Sequence, residues 1–290
     1  MSIIPNLKEL TLGKKIFKVI EKIGRGKYAT LFKASYNGGL YALKVFRYDD
    51  SNEKKRLKAV SREYKGGLAI SELNYSFFIR TLPYNVGRGV MIYRGKEIRY
   101  FVIVQEFIEG YSTTVLPNQR STIIRSLIKS VRTLHKSDFV HRDIKPKNFL
   151  INEHDEFKLI DFGFVVNLED DQGLLLKRYG TPSYMPPTIS DKDLPVRKRA
   201  VFFDLWSVGS SILKILTGHT GSSSKSLKDD RLSVGKEQVD YLMVHRNEID
   251  ESIYDFVLNF CFFCNSNNEF DRDLIESRVD QWLGSFSFNL

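Results

Sequence analysis

Hydrophobic and polar positions alternate along much of the first third of the chain, and this alternation predicts β-strands. Two strands are predicted within residues 17–35, on either side of a turn that contains Gly24 and Gly26. A third strand is predicted over residues 40–46, and residues 100–105 predict a strand apolar enough to lie at the centre of a sheet. The first third of the chain is therefore predicted to be rich in β-structure.

Helical spacing replaces this alternation after residue 106. Residues 121–135 place six apolar side chains on one face of a helix, namely Ile123, Ile124, Leu127, Ile128, Val131 and Leu134. Within the β-rich part, the charged residues 49–65 predict one helix, with Gly66 and Gly67 at its end. The pattern predicts an α+β protein with a small β-rich part and a larger, mainly helical part.

The 290 residues are 42% hydrophobic and 27% charged, which is ample for an apolar core and excludes an intrinsically disordered chain. The sequence has no run of eighteen apolar residues and does not start with a basic and apolar leader, so we expect neither a membrane span nor export. Two cysteines cannot form a disulfide framework. We therefore expect an intracellular protein, in the cytoplasm or the nucleus.

The net charge of +9 is concentrated near one end of the chain. Residues 1–105 contain 21 Lys and Arg against 8 Asp and Glu, whereas residues 106–290 contain 23 against 27. A basic region can bind a nucleotide, a nucleic acid, an anionic membrane or an acidic protein, and charge alone does not choose among them. Residues 54–56 and Lys58 are a candidate contact for an acidic partner, although such a run is more often a solvated helix face.

Two short segments carry the strongest chemical signal. Residues 140–150 read Val-His-Arg-Asp-Ile-Lys-Pro-Lys-Asn-Phe-Leu, and residues 159–163 read Leu-Ile-Asp-Phe-Gly. They supply two separated carboxylates, an amide and a lysine, the groups that a catalytic base and a Mg²⁺ site require. A lysine inside an apolar strand, Lys44, is costly to bury unless an anion meets it, and the glycine turn one strand earlier offers backbone N–H groups to phosphates.

In these motifs, over residues 17–283, the chain resembles the eukaryotic-type protein kinases. The resemblance implies the bilobal protein-kinase fold, with an N-lobe at residues 1–105, a hinge at 106–108 and a C-lobe at 109–290. The Asp-x-Lys-Pro-x-Asn motif resembles Ser/Thr kinases, and Asn-Phe-Leu resembles casein kinase I and the replication-initiation kinases. Compact kinases of this length are also common among viruses, so a viral origin and a host-cell location are open alternatives.

The resemblance implies a role for each chemical residue of these motifs. Asp143 would accept or orient the proton of a substrate hydroxyl, and Lys145 would neutralise the transferred phosphoryl group. Thr181 would bridge this base and this lysine. Asn148 and Asp161 would hold Mg²⁺.

The resemblance also implies which residues bind ATP. Lys44 would bind the α- and β-phosphates, with Glu63 as its helical partner and Glu72 as the alternative. Gln105 would stand beside the adenine as the gatekeeper residue. The other implied ATP contacts, in the phosphate loop, around the adenine and in the hinge, are Ile23, Gly24, Gly26, Leu31, Ala42, Glu106, Ile108 and Leu150.

Some positions depart from or match the family pattern in ways that bear on structure. The family's Ala-Pro-Glu is Met-Pro-Pro at residues 185–187, so the glutamate that pairs with a distant arginine is missing and Arg272 would lose its partner. Four residues after Glu63, where active kinases carry an apolar residue, the chain has Gly67, which indicates a loose helix or an alignment off by one. Asp204 matches the aspartate that ties down the catalytic loop.

The activation segment has no hydroxyl of the usual kind, since residues 163–180 contain neither serine nor threonine. In the family, the arginine before the catalytic base, here Arg142, meets a negative charge from this segment. We hypothesise that the acidic residues 169–171 pair with Arg142 and with Lys58 or Arg62, which would give activity without an upstream kinase. The simpler alternative is that these acids face water.

Together these features predict an ATP- and Mg²⁺-dependent Ser/Thr kinase that acts on proteins. Ser112, Lys147 and Lys214 stand where arginine-directed kinases carry acidic residues, which favours acidic or phosphorylated substrates, whereas Asp229 and Asp230 favour basic ones. The alternatives are a partner-activated pseudokinase or scaffold, and a nucleic-acid-binding module. The intact set of metal-binding residues argues against the pseudokinase. The nucleic-acid module would predict strongly salt-dependent binding to DNA or RNA through residues 1–105, and nucleic acid is not expected as a direct ligand.

Overall fold

The computed structural model describes residues 8–26, 28–93, 96–169, 175, 179–186, 194–221, 231–262 and 272–284. The chain divides into two compact units, Met1–Gly110 with Asp161–Gly163, and Tyr111–Ile160 with Phe164–Leu290. It leaves the first unit after Gly110, just beyond the predicted hinge. The first unit is rich in strands and the second is mainly helical, so the predicted α+β division is confirmed, whereas the lobe boundaries at 105 and 109 stay a prediction.

The first unit is built on a six-stranded antiparallel sheet. Its strands are β1 (Glu9–Leu12), β2 (Lys15–Arg25), β3 (Thr30–Tyr36), β4 (Gly39–Tyr48), β5 (Gly87–Tyr93) and β6 (Lys96–Glu106). They are arranged in the order β1-β2-β3-β4-β6-β5. The strands predicted at the glycine turn, at 40–46 and at 100–105 are confirmed. β1 was not predicted, because its short run has only two buried apolar residues, Leu10 and Leu12.

The alternation in this sheet separates two apolar clusters. One cluster is formed by buried residues that include Leu43, Val45, Val102 and Val104. The other is formed by residues of opposite parity on the same strands and by the helix α1 (Glu53–Glu72), and it includes Phe46, Tyr48, Val60, Tyr64, Phe101 and Ile103. The helix is therefore held on the sheet face to which Lys44 belongs by its parity in β4.

The second unit is organised around a long buried helix. Its helices are α2 (Arg120–Lys136), α3 (Val196–Thr217), α4 (Arg231–Val244), α5 (Glu251–Phe256), which continues as a π-helix over Val257–Phe262, and α6 (Arg272–Leu283). The buried helix α3 packs against α2, α6 and the π-helix. The helix predicted over residues 121–135 is confirmed as α2.

Two short strand pairs carry the motif segments of the second unit. β7 (Phe139–Val140) pairs with β10 (Val166–Asn167), and β8 (Phe149–Ile151) pairs with β9 (Phe157–Leu159). These strands precede and follow the catalytic-loop motif, and they fix both of its ends.

Helix α3 is long and apolar enough, by length and composition, to cross a membrane. However, 78% of the 18-residue apolar stretch within this helix is buried inside the protein, as in the core helix of a globular unit. This helix is therefore weak evidence for a membrane span.

Candidate active site

The sheet of the first unit places the glycine turn and the strand lysine in one row. Gly24 of β2 is the register partner of Leu31 in β3, and Leu31 is the partner of Lys44 in β4. Directly opposed residues in antiparallel strands lie about 5 Å apart, so the pairing itself sets the spacing of this row. Ala42 occupies the next position on the same face and pairs with Gln105 of β6. These residues were predicted to bind ATP, and the sheet brings them together.

Lys44 is the centre of a buried cluster of charges in the first unit. Its ammonium group lies 2.5 Å from Glu63 Oε1 and 3.0 Å from Asp161 Oδ1. Burial lowers the pKa of Lys44, but the carboxylates of Asp161 and Glu63 outweigh burial and raise that pKa above its ordinary value. Lys44 therefore stays protonated and can bind a phosphate. Of the two candidate partners, the structure pairs it with Glu63, and Glu72 is exposed at the end of α1.

Each residue of the Asp-Phe-Gly segment Asp161–Gly163 is held by a contact within the first unit. Asp161 bonds to Lys44, and the buried ring of Phe162 meets Phe78 edge-on at a centroid distance of 6.2 Å. Arg62 Nε donates to the carbonyl oxygen of Gly163 at 2.9 Å. Asp161 has a positive φ of 66°, a strained backbone for a non-glycine residue. Such strain persists only where the surroundings hold it in place, as these contacts do.

Gly67 lies one turn after Glu63 and is buried against Thr81. A Cβ at residue 67 would come within 2.2 Å of Thr81 Oγ1. Ser71, one turn further on, accepts a hydrogen bond from the Thr81 N–H at 2.9 Å and donates to Gly67 O at 2.6 Å. The helix is continuous from Glu53 to Glu72, so the prediction of a loose helix at this glycine is wrong, and the alternative of a shifted alignment is not needed. Gly67 is a close-packing position.

In the second unit, three of the predicted residues surround the carboxylate of a fourth, Asp143. Asp143 is 7% exposed, and its Oδ2 accepts hydrogen bonds from Lys145 Nζ at 2.6 Å and from Asn148 Nδ2 at 3.2 Å. Its Oδ1 accepts one from Thr181 Oγ1 at 2.8 Å. Lys145 Nζ also donates to Thr181 Oγ1 at 2.7 Å. The bridging position implied for Thr181 is the one that the structure shows.

A buried histidine joins the two motif segments. The Asp143 N–H donates to His141 Nδ1, and His141 Nε2 lies 3.3 Å from the carbonyl oxygen of Ile160. These partners assign the ring proton to Nε2, because Nδ1 must accept. The Ile160 N–H in turn donates to Asn148 O at 2.9 Å. The segments at 140–150 and 159–163 are therefore connected by hydrogen bonds up to Ile160.

Asn148 and Asp161 offer the oxygen ligands that Mg²⁺ prefers. The Asn148 amide nitrogen is engaged, since it donates to Asp143 O at 2.8 Å, so the amide oxygen is the atom suited to a metal. Among the residues that the structure describes, no three or more His, Cys, Asp or Glu side chains form a metal cluster. Asp161 of the first unit and Asn148 of the second each carry an oxygen of the kind that fits Mg²⁺, which uses few protein ligands and completes its shell with phosphate oxygens and water.

Asp204 holds the start of the catalytic loop from inside α3. It is fully buried, and its carboxylate accepts hydrogen bonds from the backbone N–H groups of His141 at 2.6 Å and Arg142 at 2.7 Å. His135 Nε2 lies 3.0 Å from the same carboxylate, and the other ring nitrogen accepts from Trp282 Nε1 at 2.8 Å. Arg142 has a positive φ of 68°, which these bonds stabilise. The predicted structural role of Asp204 is confirmed.

Comparison with known proteins agrees with this geometry. A protein-family model described as a protein kinase domain matches residues 17–268. The chain belongs to the protein kinase family. The predicted α+β protein-kinase fold is therefore confirmed, while the resemblance to casein kinase I and a viral origin stay predictions.

Similar proteins of this kinase domain include several Ser/Thr kinases. Serine/threonine-protein kinase mig-15 of Caenorhabditis elegans is 28% identical over 218 residues, 70% of this chain and 19% of that protein. Human cyclin-dependent kinase-like 5 is 27% identical over 222 residues, 76% of this chain and 22% of that protein. Serine/threonine-protein kinase TIO of Arabidopsis thaliana is 26% identical over 216 residues, 71% of this chain and 15% of that protein. The chain spans less than a quarter of the length of each of these relatives.

The remaining predicted ATP contacts of the kinase domain have these places. Ile23 is 41% exposed near the end of β2, and Gly26 donates its N–H to Ala29 O at 2.9 Å. Glu106 ends β6, where its backbone N–H donates to Arg80 O and its carboxylate accepts from Arg80. Two half-buried residues complete the set, Ile108 in the first unit and Leu150 in β8 of the second.

Of the acidic residues 169–171, Glu169 has a different partner from the one hypothesised. Glu169 forms an ion pair with Arg197 at 2.8 Å, and Asp170 and Asp171 lie outside the described residues. The guanidinium of Arg142 instead lies 5.1 Å from the ring centroid of Tyr179. For Glu169 the hypothesis is wrong, because a cation of α3 is its ion-pair partner.

Three residues of the site were missed by the sequence reasoning, namely Ser71, Thr81 and His135. His135 had a signal, since it follows directly on the apolar face of α2 and a buried histidine needs hydrogen-bond partners. Thr81 and Ser71 had none, because their role depends on a contact across the fold. Pro187, Asp229, Asp230 and the side chain of Arg272 lie outside what the structure describes.

Proposed function

We propose that the protein is an ATP- and Mg²⁺-dependent Ser/Thr protein kinase that is catalytically competent as folded. The observation that carries this proposal is the Asp143 carboxylate, which is buried and bonded to Lys145, Thr181 and Asn148. A hydroxyl acceptor needs one oriented carboxylate to receive its proton, with a positive charge next to it for the transferred group. This cluster provides both.

The second unit supplies the groups for the acceptor side of the reaction. The substrate hydroxyl would be oriented by Asp143, which accepts its proton as the bond to phosphorus forms. Lys145 would offset the negative charge of the transferring phosphoryl group. The hydrogen bonds from Thr181 to Asp143 and from Lys145 to Thr181 hold both groups in fixed positions, which lowers the entropic cost of the reaction.

The first unit supplies groups for the nucleotide. Lys44 would bind the α- and β-phosphates, and Glu63 holds its ammonium in place. The backbone at Gly24 and Gly26 would cover the phosphates, and adenine would contact the apolar residues Ile23, Leu31 and Ala42, with Glu106 and Ile108 bonding it through the backbone. The resemblance implies the same adenine contact for Leu150 of the second unit. It also implies that Asp161 of the first unit and Asn148 of the second unit would each offer an oxygen to Mg²⁺, which would offset phosphate charge.

The continuous helix α1 disfavours the alternative of a partner-activated pseudokinase. That alternative rests on a loose helix at Gly67, whereas Thr81 and Ser71 fix this part of the helix. Glu63 is already paired with Lys44, which supports the proposal that the kinase is competent without a partner.

We further infer that activity does not require phosphorylation in the activation segment. Residues 163–180 contain no serine or threonine, and the ring of Tyr179 stacks on Phe164 at 5.3 Å while Arg142 lies over it. A cation–π contact is worth about 0.5–2 kcal/mol, so it can take part of the place of a phosphate. Phosphatase-treated protein should keep its activity, and Tyr179→Ala should lower kcat by about twofold to thirtyfold where Tyr179→Phe does not. Loss of activity after phosphatase treatment would contradict this inference.

The deciding experiment is phosphate transfer from labelled ATP with Mg²⁺, using purified protein on casein and on an arginine-rich protein in parallel. Asp143→Asn is the blank, since the amide cannot accept the proton. We expect transfer to serine or threonine that vanishes in the blank. ATP binding without transfer to either substrate would reject the proposal in favour of the scaffold.

The exposed lysines of the two units support two further proposals, one about substrate preference and one about a binding partner. Lys147 and Lys214 are exposed in the second unit, so we propose a preference for acidic or phosphorylated protein substrates, which the casein arm tests. Lys54, Lys55 and Lys58 are exposed along α1, and we propose that this face binds an acidic protein. Binding of a polyglutamate peptide that persists after all three are changed to Ala would rule this face out.

A further inference from the structure

Gln238, on α4, is a fully buried amide with partners on three sides. Its Oε1 accepts a hydrogen bond from Trp206 Nε1 of α3 at 2.9 Å. Its Nε2 donates to Thr220 O at 2.7 Å and to Ser210 Oγ at 3.0 Å, and reaches Ser183 O at 3.4 Å. A glutamine side chain has two N–H donors, so these two groups serve three acceptors, and the longest contact, to Ser183 O, shares one of them.

Two consecutive backbone carbonyl groups of the activation segment contact side chains of α3 and α4. Ser183 O faces Gln238, and Tyr184 O accepts a hydrogen bond from Ser207 Oγ of α3 at 2.7 Å. Both belong to the short helical turn Pro182–Tyr184. Side chains of α3 and α4 therefore fix the backbone of this turn at consecutive residues.

The same turn starts at the catalytic cluster. Thr181, which precedes it, donates to the Asp143 carboxylate at 2.8 Å. Burial and the negative charge of Asp143 raise the pKa of Tyr184 to about 12, so this side chain also lies within the electrostatic reach of the base. Because the turn is continuous with Thr181, we expect a polypeptide whose hydroxyl approaches Asp143 to pass close to it, and a displacement of about 1 Å there to be costly for transfer.

We propose that Gln238 is a positioning residue for the protein acceptor, acting through the turn Pro182–Tyr184. This inference rests on the proposed kinase function and deepens it, because it concerns the acceptor and not the nucleotide.

The structure offers a matched control for a buried glutamine in the same unit. Gln119 is 4% exposed, and its Nε2 donates to Asn152 O at 2.9 Å and to Asp155 Oδ1 at 2.8 Å. Gln119→Met and Gln238→Met both replace a bonded amide by an apolar chain of equal length. Both variants lose a buried amide, but only Gln238→Met is expected to release the turn Pro182–Tyr184.

Steady-state kinetics with a casein substrate test the proposal. Gln238→Met should raise the KM for casein at least fivefold, and should leave the KM for ATP and the slow hydrolysis of ATP by water within twofold. Gln119→Met should leave both KM values within twofold. Equal effects of Gln238→Met on the two KM values, or no effect on casein, would overturn the proposal.

Hydrogen exchange tests whether Gln238 anchors the turn Pro182–Tyr184, and this measurement does not depend on kinase activity. The Tyr184 and Met185 N–H groups donate within the turn, to Thr181 O and Pro182 O. Their exchange should be at least tenfold faster in Gln238→Met than in the wild type and in Gln119→Met. Gln238→Glu, the smallest change, should act in the same direction because its carboxylate would face the carbonyl oxygens of Thr220 and Ser183. Unchanged exchange in both Gln238 variants would refute the anchor. If the wild type transfers no phosphate, the proposed function fails while exchange still decides on the anchor.

Discussion

Replacing Gly67 by alanine sets two physical effects against each other. An alanine in a helix interior is favoured over glycine by about 1 kcal/mol. However, the new Cβ would lie 2.2 Å from Thr81 Oγ1 and 2.9 Å from Thr81 Cβ, closer than side chains approach each other. Overpacking of a buried site costs about 1–3 kcal/mol, so we expect Gly67→Ala to lower the free energy of unfolding by up to about 2 kcal/mol.

A double-mutant cycle with Thr81→Ala isolates the clash. Removing the Thr81 hydroxyl eliminates the 2.2 Å contact and leaves the contact with the residue 81 Cβ at 2.9 Å. In this background Gly67→Ala should cost less by part of the overpacking cost of about 1–3 kcal/mol, because the contact at 2.9 Å remains. The free energies come from equilibrium urea unfolding, and Ala59→Gly, at a half-buried alanine of the same helix, measures the propensity effect alone.

The kinetics of Gly67→Leu distinguish the effect of close packing at residue 67 from the expectation based on the family pattern. Active kinases carry an apolar residue at this position, so the pattern alone expects Gly67→Leu to be tolerated or beneficial. The structure leads us to expect displacement of α1 and of Glu63, with a rise of about tenfold or more in the KM for ATP. A fully active Gly67→Leu, or a Gly67→Ala that is stabilised equally in both backgrounds, would refute the reasoning.

Three further predictions concern the second unit. Thr181→Val should lower kcat by about tenfold to a hundredfold with little change in the KM for ATP, because Asp143 and Lys145 lose their bridge, and Thr181→Ser should retain activity; equal loss in both variants would contradict this. Asp204→Asn should lower the free energy of unfolding by about 3–5 kcal/mol in urea, because its amide group would face an N–H donor, whereas the exposed Asp240→Asn should have almost no effect. Tyr184 has a pKa near 12 when folded against 10.0 for an ordinary tyrosine, so its stabilisation is present below about pH 10 and is lost as the pH rises to 12. The alkaline decrease in stability should therefore be shallower in Tyr184→Phe by at most about 2–3 kcal/mol, and an identical decrease in both proteins would exclude this residue as a cause.

Residues close in sequence, or paired across adjacent strands, could be placed from the sequence. Asp143, Lys145 and Asn148 lie within six positions, so a single loop brings them together. Lys44 lies in a strand that follows the glycine turn, and antiparallel pairing of neighbours gives the row from Gly24 to Lys44. Local order along the chain is enough for such placements, because hairpin pairing and loop length fix the distances.

Contacts between residues that are distant in sequence could not be placed in this way. Gly67 looks like a helix defect until Thr81 is seen against it, and Glu169 looks like a partner of Arg142 until Arg197 is seen beside it. In both cases the sequence shows the side chain and its charge or size, but not which of many possible neighbours it meets.

The sequence by itself determined the candidate catalytic residues, most strands of the first unit with helices α1 and α2, and membership of the family, because motif residues and hydrophobic periodicity are local properties. The tertiary structure alone decided which buried polar groups find partners, as for His135 with Trp282 and Gln238 with Trp206. A buried donor or acceptor costs about 1–3 kcal/mol if it lacks a partner, and that partner can be any residue that folding brings near. Local sequence carries no record of this choice, which is made when α2, α3, α4 and α6 pack together.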